Sequence, residues 1–475
     1  MPESSELEQA LAALTAGGRV EVRERAGATL IHLWSDERNL VRRVLRVAEH
    51  SREHVVLEVQ RFGRGKPDTL EFIRRGHERP QNRVTRESFL RRFRDLLMHQ
   101  FPDEQIDSLT TASDAEHSLS GCYARGLLHR GQRAWAVIGV SSAEDAATID
   151  SILTYGLIWL DRAKEHAGGR IVAGLRFFLP ENTSRTTAHR LQALEPSTHV
   201  ELYEVNEARW WAAAVDTRDI GNLATALTPR REMEYVLAEA APAVEKIRRL
   251  APDAIGFGVP PGTRDVALRF RGLELARRHG GKVYFGLGDD RRELTQQNWP
   301  DLQALVRELE TFRHPLAQDA MHPLYRLQAE RWLEAMVQAD PARIDSRLDA
   351  RFLYAQVPAF AAGDRGVIDL LGVTRDARLA VMELKAHEDI HLALQAVDYW
   401  QRVRWHHAQE DFQRFGYFPG LELQKKTPLL FLVAPGFRFH PATEVILRYL
   451  SHEIEVLRVG LNESWRRGLR VLFRQ

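Results

Sequence analysis

The sequence predicts an α/β protein in which one unit occurs twice. Its C-terminal third alternates apolar strand-like runs with amphipathic helical stretches, and a ten-residue segment of the first half recurs there without a gap. With 475 residues, 44% of them hydrophobic and 28% charged, the composition is that of a globular chain of about three domains.

The elements of that third follow in order. An amphipathic helix is expected from His322 to Ala339, with Leu324, Leu327, Leu333 and Val337 near helical spacing and Asp340-Pro341 closing it. A strand over Phe352–Val357 leads to a turn at Gly363-Asp364. The apolar runs Gly366–Val373 and Arg378–Leu384 flank Thr374-Arg375-Asp376 as a hairpin. A long helix begins near Glu388 and passes Trp405. A buried-type strand Leu429–Val433, a helix Pro441–Leu450 and a strand Ile454–Val459 complete the order α-β-β-β-α-β-α-β.

The repeat lays Ala136–Asp145 over Ala380–Asp389, with four identities and two apolar matches in ten positions. The same offset sets Tyr155 on Tyr399. Phe101-Pro102 parallels Asp340-Pro341, Arg170–Pro180 parallels Thr427–Pro435, and Val200–Val205 parallels Ile454–Val459. Collinear matches in four elements point to a duplication. Ahead of the copies, Val55–Ile73 and Val266–Leu287 share a weaker strand–Gly-Lys–strand pattern. The expected division is therefore 1–82, an α/β region with a basic stretch; 83–215, the first copy; 216–320, a connecting α/β region; and 321–475, the second copy.

Several chemistries drop out early. Cys122 is the sole cysteine, so neither a disulfide framework nor a Cys-based zinc site is available. No apolar run nears the roughly 18 residues of a membrane span. The N-terminal stretch is acidic and lacks a secretory pattern, so no membrane partner and a cytoplasmic location are expected. His406 and His407 are adjacent, and on a helix they diverge by about 100° rather than converge on a metal. The FGLG run from Phe285 to Gly288 is not a phosphate loop. The net charge is only +1, but residues 61–94 hold eleven Arg or Lys against four acids, either a solvated face or a polyanion footprint.

The residues that carry chemistry are Asp369, Glu383 and Lys385. Glu383 and Lys385 are two apart on one strand and project from the same face, and a hairpin partner sets Asp369 beside them. Two carboxylates and a main-chain carbonyl suit a hard divalent ion such as Mg²⁺, and the neighbouring ammonium can orient water and stabilise phosphodiester charge. An acid-x-Lys triplet alone occurs by chance in a chain of this composition. Its place at the end of an apolar strand, fourteen residues after Asp369, gives it weight. Gln395 and Tyr399, four apart, share a face of the following helix.

With these residues in place, the sequence resembles the PD-(D/E)XK nuclease superfamily, also called restriction-endonuclease-like. The match is Ile368-Asp369 with Glu383-Leu384-Lys385. Gln395 and Tyr399 look like the QxxxY motif of its RecB-like branch, and Glu330 to Glu334 followed by Asp340-Pro341 looks like that branch's entry helix. The resemblance covers about 150 residues, from Pro323 onward, including the αβββαβ order. The family proline before the aspartate is replaced by Val367-Ile368. The resemblance implies that Asp369, Glu383 and the carbonyl of Leu384 ligate Mg²⁺ or Mn²⁺, and that Lys385 positions the attacking water. It further implies an acidic role for Glu330 (with Glu334 one turn on as fallback), a phosphate or metal-shell contact for Gln395, and a buttress in Tyr399.

Carried to the first copy, the gap-free alignment sets Gly139 on Glu383, Ser141 on Lys385, Arg125 on Asp369 and Ser151 on Gln395, and alignment on the prolines Pro102 and Pro341 sets Arg91 on Glu330. Only Tyr155 survives. The expected protein is a duplicated restriction-endonuclease-like αβββαβ core, degenerate in its N-terminal copy and intact in its C-terminal one. Its expected activity is that of a Mg²⁺-dependent deoxyribonuclease, an endonuclease ahead of an exonuclease. DNA is the expected partner, with RNA and homodimerisation left open. Its rivals are a catalytically idle nucleic-acid-binding protein and a sensor whose N-terminal half gates cleavage.

Overall fold

A computed structural model describes Leu11 and residues 19–25, 28–34, 39–50, 54–60, 67–73, 80–114, 116–218, 227–288, 290–358 and 367–475. The chain forms two compact units, each gathered from separate stretches. One comprises Met1–Pro80, Met233–Met336 and Arg466–Gly468; the other comprises Gln81–Glu232, Val337–Trp465 and Leu469–Gln475. The four consecutive segments expected from the sequence are thus broadly paired off, first with third and second with fourth. The protein is mixed α/β, and its described residues form four sheets. Among these residues no helix is long and apolar enough to cross a membrane.

The first unit holds two five-stranded antiparallel meanders with strands in sequential order. One runs through Arg19–Arg25, Ala28–Trp34, Asn39–His50, His54–Gln60 and Asp68–Ile73. Along His54–Gln60, Val55, Leu57 and Val59 are buried, the period-two pattern of a strand with one face inward. The other meander runs through Ile255–Gly258, Val266–Phe270, Leu273–His279, Lys282–Phe285 and Arg292–Glu293. His279 pairs with Lys282 across a two-residue turn, Gly280-Gly281, in which both φ angles are positive. Glycine takes that conformation without a Cβ penalty, and it matches the strand twist. The helix Arg230–Arg248 contributes Val236, Ala240, Val244 and Ile247 to this meander's core at helical spacing, and Trp299–Phe312 contributes Leu302, Val306 and Leu309.

The single helix expected over His322–Ala339 is broken. Pro323–Arg326 forms one turn, Gln328 takes φ of 50°, and a new helix runs Ala329–Ala339. The cause is Arg313, whose fully buried guanidinium collects the carbonyls of Arg271, Leu324, Leu327 and Gln328. Those carbonyls find their donor in a side chain instead of in a continuous helix.

The second unit contains two six-stranded sheets. Helix α1 (Pro80–Gln100) precedes the first sheet: β1 (Gln105–Thr110), β2 (Tyr123–Arg130), β3 (Arg133–Val140), β4 (Ile171–Pro180), β5 (Val200–Asn206) and β6 (Trp211–Ala214). Helix α2 (Ile152–His166) crosses from β3 to β4, and α3 (Arg185–Leu191) from β4 to β5. The second sheet consists of β7 (Leu348–Pro358), β8 (Val367–Thr374), β9 (Leu379–Leu384), β10 (Leu429–Pro435), β11 (Val456–Leu461) and β12 (Val471–Arg474). Its crossovers are α4 (Leu392–Ala408) and α5 (Pro441–Tyr449). Helix α4 begins later than the Glu388 start expected, after the Asp389 side chain has taken the His391 N–H at 2.8 Å.

Strand order and polarity are the same in both sheets. Strands run sequentially, with two antiparallel pairs, two parallel pairs and a final antiparallel pair. Helix α2 packs on α5 and α4 packs on α3, an exchange of equivalent elements. Leu194 and Leu450, each six residues ahead of its following strand, form an isolated antiparallel bridge. Around it the Glu195 N–H donates to the Tyr449 carbonyl at 2.9 Å and the Ser451 N–H to the Ala193 carbonyl at 2.8 Å. One apolar core runs through the helix-covered faces of both sheets.

Four histidines of this unit, His189, His391, His406 and His440, are held below their ordinary value of 6.5, foremost by burial. The folded chain keeps them neutral while the unfolded chain protonates near 6.5. Stability is therefore fully present above that pH and is lost as pH falls through it. Melting temperature is expected to hold above about pH 6.5 and to decline below it. A flat profile measured by calorimetry would contradict the burial argument.

Candidate active site

The hairpin β8–β9 sets the site. Leu370 pairs with Met382 and Leu371 with Val381, and one further step of this register puts Asp369 opposite Glu383. Leu371 and Val381 belong to the core beneath α4, so by alternation Asp369, Glu383 and Lys385 face the same helix. The Leu384 N–H donates to Asp369 Oδ2 at 3.0 Å, which joins the two strands at the carboxylate. Glu383 is buried, and Lys385 Nζ lies 3.5 Å from Glu383 Oε1. The Lys385 N–H donates to the Val433 carbonyl at 3.0 Å, which continues the β9–β10 ladder by one residue.

Tyr399 comes from α4. Burial raises its phenol, and the Glu383 and Asp369 carboxylates raise it further, so its hydroxyl stays protonated beside them. Gln395, one turn earlier, lines a cavity of about 350 Å³ together with Ser151, Thr154, Tyr155, Arg190 and His391. The structure thus gathers Asp369, Glu383, Lys385 and Tyr399, and opens Gln395 onto the adjoining cavity. Glu330 lies half-buried in the first turn of Ala329–Ala339 and belongs to the other compact unit. Glu334, on the same helix, is buried and receives Arg331 Nη1 at 2.7 Å. Among the described residues no three His, Cys, Asp or Glu side chains gather as a metal cluster.

Two members of the site were not anticipated. Asp389 Oδ2 lies 3.1 Å from Lys385 Nζ, and its i,i+4 spacing from the lysine was visible in the sequence. Gln356 Nε2 reaches Asp369 Oδ1 at 3.5 Å. Its φ of 55° turns it out of the β7 alternation, and nothing in the residue string signals that.

The first sheet carries a different set of side chains at these places. Pro180 and Pro435 close equivalent strands, which makes Phe177 the counterpart of Leu432. Their neighbours across the ladder are Ile138 and Glu383. Ile138 in turn pairs with Arg125 as Glu383 faces Asp369. The counterparts of Glu383 and Lys385 are therefore Ile138 and Val140, not Gly139 and Ser141. The gap-free alignment was out by one residue in this strand, and such a slip exchanges the faces of a strand. Gly139 points the other way, where a Cβ would come within 2.8 Å of the Phe93 ring of α1. Ser141 and Ser142 hydroxyls donate to Glu207 at 3.3 and 3.0 Å. Arg125 does occupy the Asp369 place, buried, with its guanidinium on the carbonyls of Ser120 and Ala112.

Of the basic stretch 61–94, residues 61–66 and 74–79 lie outside the described residues. Arg86, on α1, is buried and binds Glu144 at 2.6 Å. Compared with known proteins, the chain matches no protein-family model and no curated protein.

Proposed function

We propose that the chain is a metal-dependent nuclease with one hydrolytic centre, at Asp369, Glu383 and Lys385. In this reading the first six-stranded sheet is a duplicated restriction-endonuclease-like half that has lost those groups. The observation that carries the proposal is the meeting of two carboxylates and a lysine on one face of β8–β9, under a helix that presents Tyr399 to them. The donor set fits the ion: two carboxylates and the Leu384 carbonyl are hard oxygen donors, and Mg²⁺ commonly takes one or two carboxylates and keeps several waters. When bound, that ion would polarise the phosphodiester and acidify a water. Lys385, flanked by Glu383 and Asp389, would hold the attacking water and oppose the charge gathering on the phosphate. Tyr399 would keep its proton and donate a hydrogen bond toward the carboxylates. Shared strand order and polarity in the two sheets support the duplication. Arg125 and Ile138 at the two carboxylate places support the loss of chemistry in the first half.

DNA is the proposed substrate, cut internally. With one centre per chain, a single encounter should break one strand. The test is incubation of the purified chain with labelled circular, linear and branched DNA plus Mg²⁺ or Mn²⁺. Nicked circles are expected to accumulate, and cleavage should stop when EDTA removes the ion. Undiminished cleavage in EDTA would sink the metal mechanism. DNA binding without cleavage under every metal condition would favour the idle binding protein.

A further inference from the structure

Helix α4 carries Gln395 and Tyr399, yet much of what fixes it comes from the first half of the same unit. Arg190, on α3, sends Nε to Asp398 Oδ1 at 2.9 Å and Nη2 to Asp398 Oδ2 at 2.7 Å. Its Nη1 donates to the Asp150 carbonyl at 2.6 Å, which ties the guanidinium to the chain just ahead of α2. The pair is enclosed, with side chains 12% and 16% exposed. At the start of α4, His391 Nδ1 lies 3.2 Å from Thr154 Oγ1, and the Tyr155 and His391 rings meet edge to face at 5.9 Å. Further along, Gln401 Nε2 donates to the His189 carbonyl at 3.0 Å.

The reverse exchange is built differently, with the Tyr449 hydroxyl of α5 receiving Lys164 Nζ at 3.2 Å and donating to Asp161 at 3.3 Å. Arg448 on α5 binds Asp161 on α2 through Nη2 at 3.0 Å, with the arginine side chain 57% exposed. Exposed pairs of that kind contribute little, whereas an enclosed two-pronged arginine fixes geometry. The enclosed, two-pronged pair falls on the helix that faces the two carboxylates.

We infer that Arg190 is a positioning residue, through which the first half acts as a built-in activating partner for the centre in the second. The inference rests on the nuclease reading above. Asp398 follows Gln395 by three residues and precedes Tyr399 by one, so a tie on Asp398 sets the rotation of α4 about its axis. On a helix about 10 Å across, a rotation of about 20° moves a side chain by about 2 Å. Displacements of about 1 Å can cost a reaction about 10²-fold.

The experiment uses the full chain with Arg190→Ala and Arg190→Lys. In Arg190→Ala, kcat for Mg²⁺-dependent DNA cleavage is expected to fall by about 10- to 100-fold with KM near that of the parent. Arg190→Lys keeps the charge but not the fork, and should fall between the two. A second readout does not depend on activity. In protein labelled with ¹³C at tyrosine, the Tyr399 ring resonance should move in Arg190→Ala, while Tyr203, packed against Phe101 and Phe178, should not. A parental kcat, or an unmoved Tyr399 resonance, in a variant that melts like the parent would overturn the inference. If Arg190→Ala does not fold, Arg190→Lys is judged by the same two measures. If the parent cleaves nothing, the nuclease reading fails, and the Tyr399 resonance alone decides whether Arg190 positions α4.

Discussion

Alanine at Asp369, Glu383 or Lys385 is expected to slow phosphodiester cleavage by at least about 10³-fold while leaving DNA affinity nearly unchanged. The two carboxylates face one another across β8–β9, so removing either leaves one carboxylate and the Leu384 carbonyl for a divalent ion. Lys385 stands between Glu383 and Asp389, and its loss removes the ammonium that pairs with both. Binding should persist because backbone phosphate contacts across a wide surface supply most of the affinity for DNA. Single-turnover cleavage with saturating DNA, beside a filter-binding titration, measures both effects. Val140→Ala, at the place of Lys385 in the first sheet, is the matched control and should cleave like the parent. A fully active Glu383→Ala protein would end the proposal.

Arg313→Met should lower the stability of the first unit by about 3 kcal/mol or more. Burial pushes this guanidinium down to about 9, still charged at neutral pH, and no carboxylate pairs with it in the hydrogen bonds it makes. Two effects oppose. Methionine would relieve the cost of burying a charge, but it would strand the carbonyls of Arg271, Leu324 and Leu327, each costing about 1–3 kcal/mol when left without a donor. Three stranded acceptors outweigh one relieved cation. The Trp332 ring, 4.8 Å from this guanidinium and 5.5 Å from that of Arg466, would lose one of its two cations as well. Urea unfolding followed by tryptophan fluorescence reads the change, and a loss below about 1 kcal/mol would mean that desolvation had cancelled the hydrogen bonds.

Much of the second six-stranded sheet was legible because its central strands are mostly apolar. Leu429–Pro435 is buried at every position, and such runs identify themselves by composition. That Asp369 lies beside Glu383 was expected from the hairpin, but its register is set by a turn one residue further on, with the Thr374 N–H donating to the Arg378 carbonyl at 2.8 Å. What failed depends on side chains distant in sequence. The break before Ala329 is imposed by Arg313, and the helical spacing of Leu324, Leu327 and Leu333 carries no trace of it. The one-residue slip at Ile138 arose because six of ten positions matched, and apolar residues on both faces of β3 hid which face was which. The interleaved units were equally hidden, because nothing along a chain says which later segment a meander will join.

The bridge between Leu194 and Leu450 has a consequence for how such a molecule could change over time. Two free subunits meeting across an axis of this kind sort at random, and a defective copy is diluted among sound ones. Joined in one polypeptide, each half meets its neighbour at a fixed and very high local concentration, whatever the amount of protein in solution. Dissociation by dilution no longer erodes the pairing. In the proposed duplication one half is then released to drift, with Arg125 and Ile138 standing where the other half has Asp369 and Glu383.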